Sequence, residues 1–557
     1  MKTWKKFAAL TSLLCVTAVL GACNGASNET KTNDDGKTIV TLGRQTIQNS
    51  KLPEGDTYED NAYTRLVEKE LGVELKSAFE ANGDDYDRQV SLAIASGDLP
   101  DLMVVNSYDE LKELVDNDLI EDLTKYYEKD ATDFIKETYE SYDSIPLTEA
   151  TFDDKLMAIP ATSVDDGPGL VWIRQDWLDQ LGITLDPDGN KAISLDELKN
   201  TTKAFIENNP GKVAKPVGLA LNYWLTATGY GGSAFTSSPI MNAFGAFPKY
   251  YLEDSSGKIY YGSNTDETKA ALAYLKTWFD EGLLDPQFGT RTFDDITAML
   301  INGETGIAPG PWHLPGWNLF QVKESNPDAE FVPYAIENQN GDGKIDAISD
   351  KGAGSYVVVR KGFAHPELAF KIVDLIYDTV PNSEDIQKEY PEIYQYGQLD
   401  VDGTARPFNV EIYNANSGIE DSVQIADAVD GKLNMDDLAK PADKTLAESI
   451  KKVVDNPDEV DINDWNKYIT TYVARAKTMA VSRELGILNE VVPPRFHGIT
   501  ALDKSSAQLN KLEEETFIKL VTGEESLDNF DTYISTWEKQ GGADVLSEMQ
   551  EVIDTKK

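Results

Sequence analysis

Asp87–Met103 reads DRQVSLAIASGDLPDLM. Its first part carries apolar residues at helical spacing, so Tyr86–Ser96 reads as a helix. Gly97 stops it, because glycine takes the left-handed backbone that closes a helix. Leu102–Val105 (LMVV) is then a short unbroken apolar run, read as a buried strand. Upstream, Thr38–Leu42 (TIVTL) is a β-branched strand and Val73–Phe79 a second one. Between them Asn61–Leu71 sets Tyr63, Leu66, Val67 and Leu71 on one helical face. Strand and helix alternate, which predicts α/β layers around a mostly parallel sheet.

Downstream, Leu156–Pro160 and Leu170–Ile173 read as strands where the chain leaves a first lobe. Trp177–Leu181, Ser194–Glu207, Thr268–Gly282 and Pro366–Tyr377 read as helices, with Ser355–Val359 (SYVVV) a strong strand between them. From about residue 440 the pattern is mostly helical, and no repeat of 20–50 residues is present.

The 557 residues allow several domains and a sizeable core. Ninety-six acids against 51 Lys and Arg give a net charge of −45. Such a surface repels phosphate backbones, so nucleic acid is not an expected partner. Cysteine occurs only as Cys15 and Cys23, and histidine only as His313, His365 and His497. The body therefore has no disulfide, no thiol nucleophile and no Cys-ligated zinc.

The N-terminus has Lys2, Lys5 and Lys6, an apolar run from Phe7 to Leu20, then Leu20-Gly21-Ala22-Cys23. This is a signal peptide, 1–22. Leu-Gly-Ala-Cys resembles a bacterial lipobox, which implies cleavage before Cys23, acylation of its sulfur and an anchor of two or three acyl chains. Residues 23–37 then form the lipidated cysteine and a flexible polar tether.

Several runs, in order, resemble the substrate-binding lipoproteins of bacterial carbohydrate ABC importers. This is the extracellular solute-binding family that includes maltose-binding and alginate-oligosaccharide-binding proteins. The runs are Asp87–Met103, Asp154–Pro160 (DKLMAIP), Val171–Gly182 (VWIRQDWLDQLG), Ala298–Trp317 (AMLINGETGIAPGPWHLPGW), Lys361–Leu375 (KGFAHPELAFKIVDL) and the tail Leu512–Gly542. The resemblance implies a two-lobed α/β fold of the type II periplasmic-binding-protein kind, with the ligand in a cleft that closes by hinge bending. By the order of the runs, lobe 1 is expected to hold 38–160 and 355–490, and lobe 2 to hold 165–350 and 495–557. The implied function is capture of a carbohydrate, most often an oligosaccharide for chains of this length, and its delivery to ABC permease subunits. The implied protein is a monomer, not an enzyme, on the outer face of the cytoplasmic membrane of a Gram-positive cell. The alternatives are a cell-surface glycan-binding protein or a glycoside hydrolase, which would need a pair of carboxyls at a set spacing.

A sugar presents hydroxyls at its rim and C–H faces above and below. A site for it needs flat aromatic rings and polar side chains. Trp312 and Trp317 lie in Gly310-Pro311-Trp312-His313-Leu314-Pro315-Gly316-Trp317, a Gly/Pro loop that should expose a ring. Tyr223 and Trp224 follow an apolar run at a strand end. Trp172 and Arg174 share one face of a strand, so both line the cleft or neither does. Trp177 and Trp278, on helical faces, read as core. Arg44 and Gln45 follow the first strand, and Asn106 and Tyr108 follow LMVV. Arg44 could take a uronate carboxylate in bidentate fashion or form a surface ion pair.

Asp186 to Glu197 has the spacing of an EF-hand loop: Asp186, Asp188, Asn190, the Ala192 carbonyl, Ser194 and Glu197 would hold a structural calcium ion. Lys191 stands where that loop wants glycine. The competing reading is a turn followed by a Ser194–Glu197 capping box. Asn338–Ile345 lacks a closing carboxylate and reads as a turn. No cofactor for chemistry is expected.

Overall fold

The structure is a computed structural model that describes residues 32–47, 51–162, 167–227, 234–383, 385–399, 401–438, 440–457 and 460–556. The signal peptide, Cys23 and most of the tether lie outside the described residues.

The strands used below run in order β1 (Thr38–Thr46), β2 (Val73–Asn82), β3 (Leu102–Val105), β4 (Ile159–Pro160), β5 (Leu170–Arg174), β6 (Ala192–Ile193), β7 (Ile307–Gly310), β8 (Phe331–Ile336), β9 (Ile345–Ile348), β10 (Tyr356–Val359) and β11 (Leu488–Val491). The helices used are α1 (Ala62–Leu71), α2 (Gly83–Ser96), α3 (Leu195–Asn208), α4 (Ser417–Val429), α5 (Pro441–Asp455) and α6 (Thr500–Thr522). Asn61 caps α1 through a capping box with Thr64, and Gly97 ends α2 at φ 69°. The β3 strand is buried at all four positions, as its unbroken apolar run requires.

The first sheet has the order β2-β1-β3-β10-β4. Its β1, β2 and β3 are parallel, while β10 is antiparallel to β3 and β4. Val105, Tyr356 and Pro160 are in register, so the C-terminal end of β3 lies on the edge where the chain departs for β5. The second sheet, β7-β5-β8-β6, is mixed: β5 is antiparallel to both neighbours, and β8 and β6 are parallel. The mostly parallel expectation thus holds for β1–β3 and fails for the second sheet. There Leu170 pairs with Gly310, so the start of β5 and the end of β7 share the edge that receives the crossing.

Two bodies of core follow. Residues 40–161 share one core with 353–412. The β5 strand divides the other by alternation: Val171 and Ile173 join a core with Phe517, Leu520 and Trp537, while Leu170 and Trp172 join a core with Ile419, Trp465, Ile469 and Met479. This corrects the expectation that 355–490 belongs entire to lobe 1. Beyond about residue 412, α4 and the π-helical segment Tyr468–Met479 cover the second face of β5, and α5 packs on α4 in a small core of its own. The order of matched runs carries no information about which face of a strand a later helix covers. A strand buried on both faces needs a layer on each.

Residues up to Thr162 lie with the first body and those from Leu170 with the second, and further passages lie near 349–352 and 413–418. The first and third passages lie side by side, since the Thr162 amide donates to the Glu411 carbonyl at 2.7 Å and the Tyr413 amide to the Thr162 hydroxyl at 2.9 Å. The parallel pair β9–β11 runs at the second. The stretch from Val492 to Gly498 then touches the first body again. There the Arg495 Nε donates to Glu149 at 2.9 Å, and the His497 ring stacks on Tyr108 with centroids 3.8 Å apart.

Candidate ligand cleft

The edges of the two sheets at these crossings carry the candidate site. On the first body, Gln45 accepts from the Asn409 amide at 2.8 Å. Asn106 is exposed and donates to Asp87 at 3.1 Å. Tyr108 is held between His497 and Phe152, both rings nearly parallel to it. Arg44 departs from expectation. It is 1 % exposed, and none of its guanidinium nitrogens has a hydrogen-bond partner among the described residues. Burial lowers its pKa to about 10, against the pull of Glu80, Glu59 and Glu68. It is thus neither a surface ion pair nor an accessible cleft group.

On the second body, the loop after β7 carries Trp312, His313 and Trp317. All three are half-buried, and the His313 ring stands edge-on to both tryptophans at 4.9 and 4.4 Å. The neighbouring extended segments place the other aromatic pair. The Asn222 amide donates to Phe235, and the Phe235 amide to Pro309, at 2.7 and 2.8 Å. The 220–224 and 307–312 segments therefore lie two strands apart. Tyr223 is 40 % exposed, with Trp224 set across it at 4.3 Å. Thr226, two residues on, donates to the buried carboxylate of Glu513 on α6 at 3.1 Å, which ties this loop to the body.

Trp172 and Arg174 leave the cleft together, as their shared face demanded. Trp172 is fully buried and donates its indole N–H to the Pro311 carbonyl at 3.1 Å, so it props the loop that bears Trp312. Arg174 lies at the end of β5 away from the crossing, four residues or about 13 Å along the strand from Leu170. Its guanidinium is spent on Asp176 at 2.7 and 2.5 Å and lies over the Trp177 ring. Trp177 and Trp278 are core, as expected.

Sequence reasoning missed four residues here. Arg406 donates to Tyr377, Glu411 and Tyr413, the last a 36 % exposed ring at the third crossing. His497 stacks on Tyr108. Arg475, in the π-helical segment, lies over the Trp312 ring at 3.4 Å. None of these sits in a motif; each enters the site by long-range packing. Burial, with the Arg475 charge second, pulls the His313 pKa down to about 4, so its imidazole is neutral at pH 7.

The Asp186–Glu197 donors are engaged otherwise. Ser194 and Glu197 form the capping box of α3, with both the Ser194 amide and hydroxyl donating to one Glu197 oxygen. Asn190 donates to Glu337 at 2.9 Å, and the Lys191 ammonium lies 3.4 Å from Asp186. The second oxygen of Asp186 is buried with no hydrogen-bond partner among the described residues, a feature that suits a cation. Among the described residues no three acidic, His or Cys side chains gather as a metal site; Asn190, Ser194 and Glu197 are held by the hydrogen bonds just given. The Asn338 run is the expected turn, closed by Asn338 donating to Lys344 at 2.7 Å.

Two α/β bodies joined by several chain passages make a two-lobed fold. The family model for bacterial extracellular solute-binding proteins matches residues 62–396, and the chain belongs to that family. It is 22 % identical to the polygalacturonan/rhamnogalacturonan-binding protein YtcQ of Bacillus subtilis (strain 168), over 98 % of each chain. Among solved structures, it resembles an HMO-binding, ABC-transporter-associated solute-binding protein of Bifidobacterium longum infantis, with a TM-score of 0.57, 15 % identity and coverage of 93 % and 99 %. It also resembles the substrate-binding protein FusA of S. pneumoniae in complex with kestose, with a TM-score of 0.53, 16 % identity and coverage of 93 % and 99 %. The family is extracellular, which puts the folded body outside the cytoplasm.

Proposed function

We propose that this chain captures an oligosaccharide outside the cell and delivers it unchanged to ABC permease subunits. In this reading it acts as a monomer held on the outer face of the cytoplasmic membrane by acylated Cys23. One observation carries the reading: several rings are exposed or half-buried near the passages, Trp312 and Trp317 after the end of β7, Tyr223 in the segment joined to β7 through Phe235, and Tyr413 beside Thr162. Such rings cover sugar C–H faces, and hydroxyls would be met by Asn106, the Gln45–Asn409 pair and His313. Lobe closure costs free energy, which contacts made only in the closed state offset. The relatives' names, with polygalacturonan/rhamnogalacturonan, HMO and kestose as ligands, support a saccharide over a peptide.

The test is calorimetric titration of the protein with neutral and acidic oligosaccharides, with chromatography of the recovered ligand. Saturable binding and intact sugar is the expected result. A shortened sugar would replace the reading with a glycosidase, and absence of binding to every saccharide would overturn it.

A further inference from the structure

Resting on the saccharide reading above, we propose that Val492–Gly498 is a rivet between the two bodies. Its Arg495 and the Glu149 it meets are positioning residues: they set ligand affinity through the orientation of the bodies and touch no ligand. The segment runs between β11 and α6 and reads Val492-Pro493-Pro494-Arg495-Phe496-His497-Gly498. Pro493 and Pro494 hold it extended, since each fixes its own φ and disfavours the α region for the residue before it. Side chains along an extended chain point to opposite sides in turn. Phe496 packs on the core of the second body. Arg495 and His497, on either side of it, reach Glu149 of the first.

The Glu149 side chain is 6 % exposed. One of its oxygens accepts from the Arg495 Nε and the His497 Nε2, each at 2.9 Å, and the other from the Ala353 amide at 2.7 Å. Ala353 follows the passage at 349–352 and lies in the first core, so rivet and passage are fastened to the same carboxylate. The Arg495 Nη1 also donates to both Asp350 oxygens at 2.9 Å. Its guanidinium rests on the bare Cα of Gly352, where a Cβ would stand 2.2 Å from the Nε. Stripping a buried carboxylate of such donors is costly, because charges and N–H groups on both sides are left without partners. The bodies therefore keep this contact and turn about it. A contact that holds them near the binding orientation reduces the ordering that ligand must supply, so affinity depends on it.

The experiment uses the full chain, small-angle X-ray scattering of the free and saturated protein, and calorimetry with an oligosaccharide that the wild type binds, all well below the melting temperature. Arg495→Met should enlarge the radius of gyration of the free protein and weaken binding about tenfold, while the saturated form matches the wild type. Gly352→Ala, which displaces the guanidinium and leaves Arg495 and Glu149 in the chain, should do the same in smaller measure, and it carries the test if Arg495→Met does not fold. Arg495→Lys, which reaches one of the two carboxylates, should restore part of the affinity. An arginine that only stabilised the fold would lower the melting temperature and leave the free radius and the affinity unchanged, and that result overturns the proposal. Tighter binding by Arg495→Met, the mark of a contact that holds the bodies apart, also overturns it. If no saccharide binds the wild type, the capture reading fails, and the scattering of the free variants decides the rivet by itself.

Discussion

Trp172 and Trp312 are joined through one hydrogen bond, from the Trp172 indole to the Pro311 carbonyl, yet they do different jobs. Trp172 is fully buried core. Trp172→Ala should cost about 3–5 kcal/mol of stability, read by chemical denaturation, before any effect on binding can be seen. Trp312→Ala should instead weaken saccharide binding about tenfold, close to the 1.4 kcal/mol of a modest stacking contact, as calorimetry would show. Glu149 makes a prediction for pH. Burial pushes its carboxyl up, but His497, the Ala353 amide and Arg495 more than offset that and hold it below the ordinary 4.5. Its folded pKa is depressed, so the stability it contributes is complete above about pH 4.5 and is lost as pH falls through the lower folded value. Acid unfolding followed by circular dichroism should therefore begin at higher pH, and rise less steeply, in Glu149→Gln. Glu149 and its partners were not legible beforehand, because they come from residues some 200 and 350 positions apart.

At the scale of the element, β5 and α3 are informative. Both were legible: β5 from its apolar run, and α3 from the Ser194–Glu197 capping box. What each one does was not. The reading of β5 as a cleft strand failed because its alternation serves two cores, one per face, leaving neither for ligand. At α3 the same carboxylate that could close a calcium loop is engaged by the Ser194 amide and hydroxyl. Lys191 sits at φ 63°, in the left-handed region that the loop reserves for glycine, with its ammonium near Asp186. Calcium would have to displace that ammonium. Lys191→Gly should thus gain calcium affinity over the wild type, and the melting temperature with calcium minus that with chelator should widen in the variant. An equal difference in both proteins would show that Lys191 does not compete with the ion. On α6, Glu513 is fully buried and accepts from Thr226 and from the Tyr261 hydroxyl at 2.7 Å, with Lys249 at 3.6 Å. Glu513→Leu should lower the melting temperature, because the buried Thr226 and Tyr261 hydroxyls lose their acceptor, while Lys249 keeps Glu514 at 3.2 Å. It should also weaken saccharide binding, because Thr226 no longer steadies the Tyr223–Trp224 loop.

For the whole molecule, the proposed capture predicts closure of the two bodies about the passages between them. Closure should reduce the radius of gyration on saccharide addition, measured by small-angle X-ray scattering. A ligand at a hundredfold excess over its Kd should add about 2.7 kcal/mol of stability. Scattering that is unchanged at saturating ligand would mean a site that binds without lobe closure.

The sequence by itself determined the layers of the first body, β1 to β3 with α1 and α2, because period and helix stops are local properties of the chain. Its ordered runs also determined the family, which the family model shows over 62–396. Tertiary structure alone decided that α4 and Tyr468–Met479 cover the second face of β5, that Arg44 is enclosed, that Arg174 lies at the far end of its strand, and that Arg475 meets Trp312. The reason is common to all four. Which edge of a sheet faces the other body, and which distant helix lies over a given ring, are fixed by packing between segments hundreds of residues apart, and local spacing records none of it.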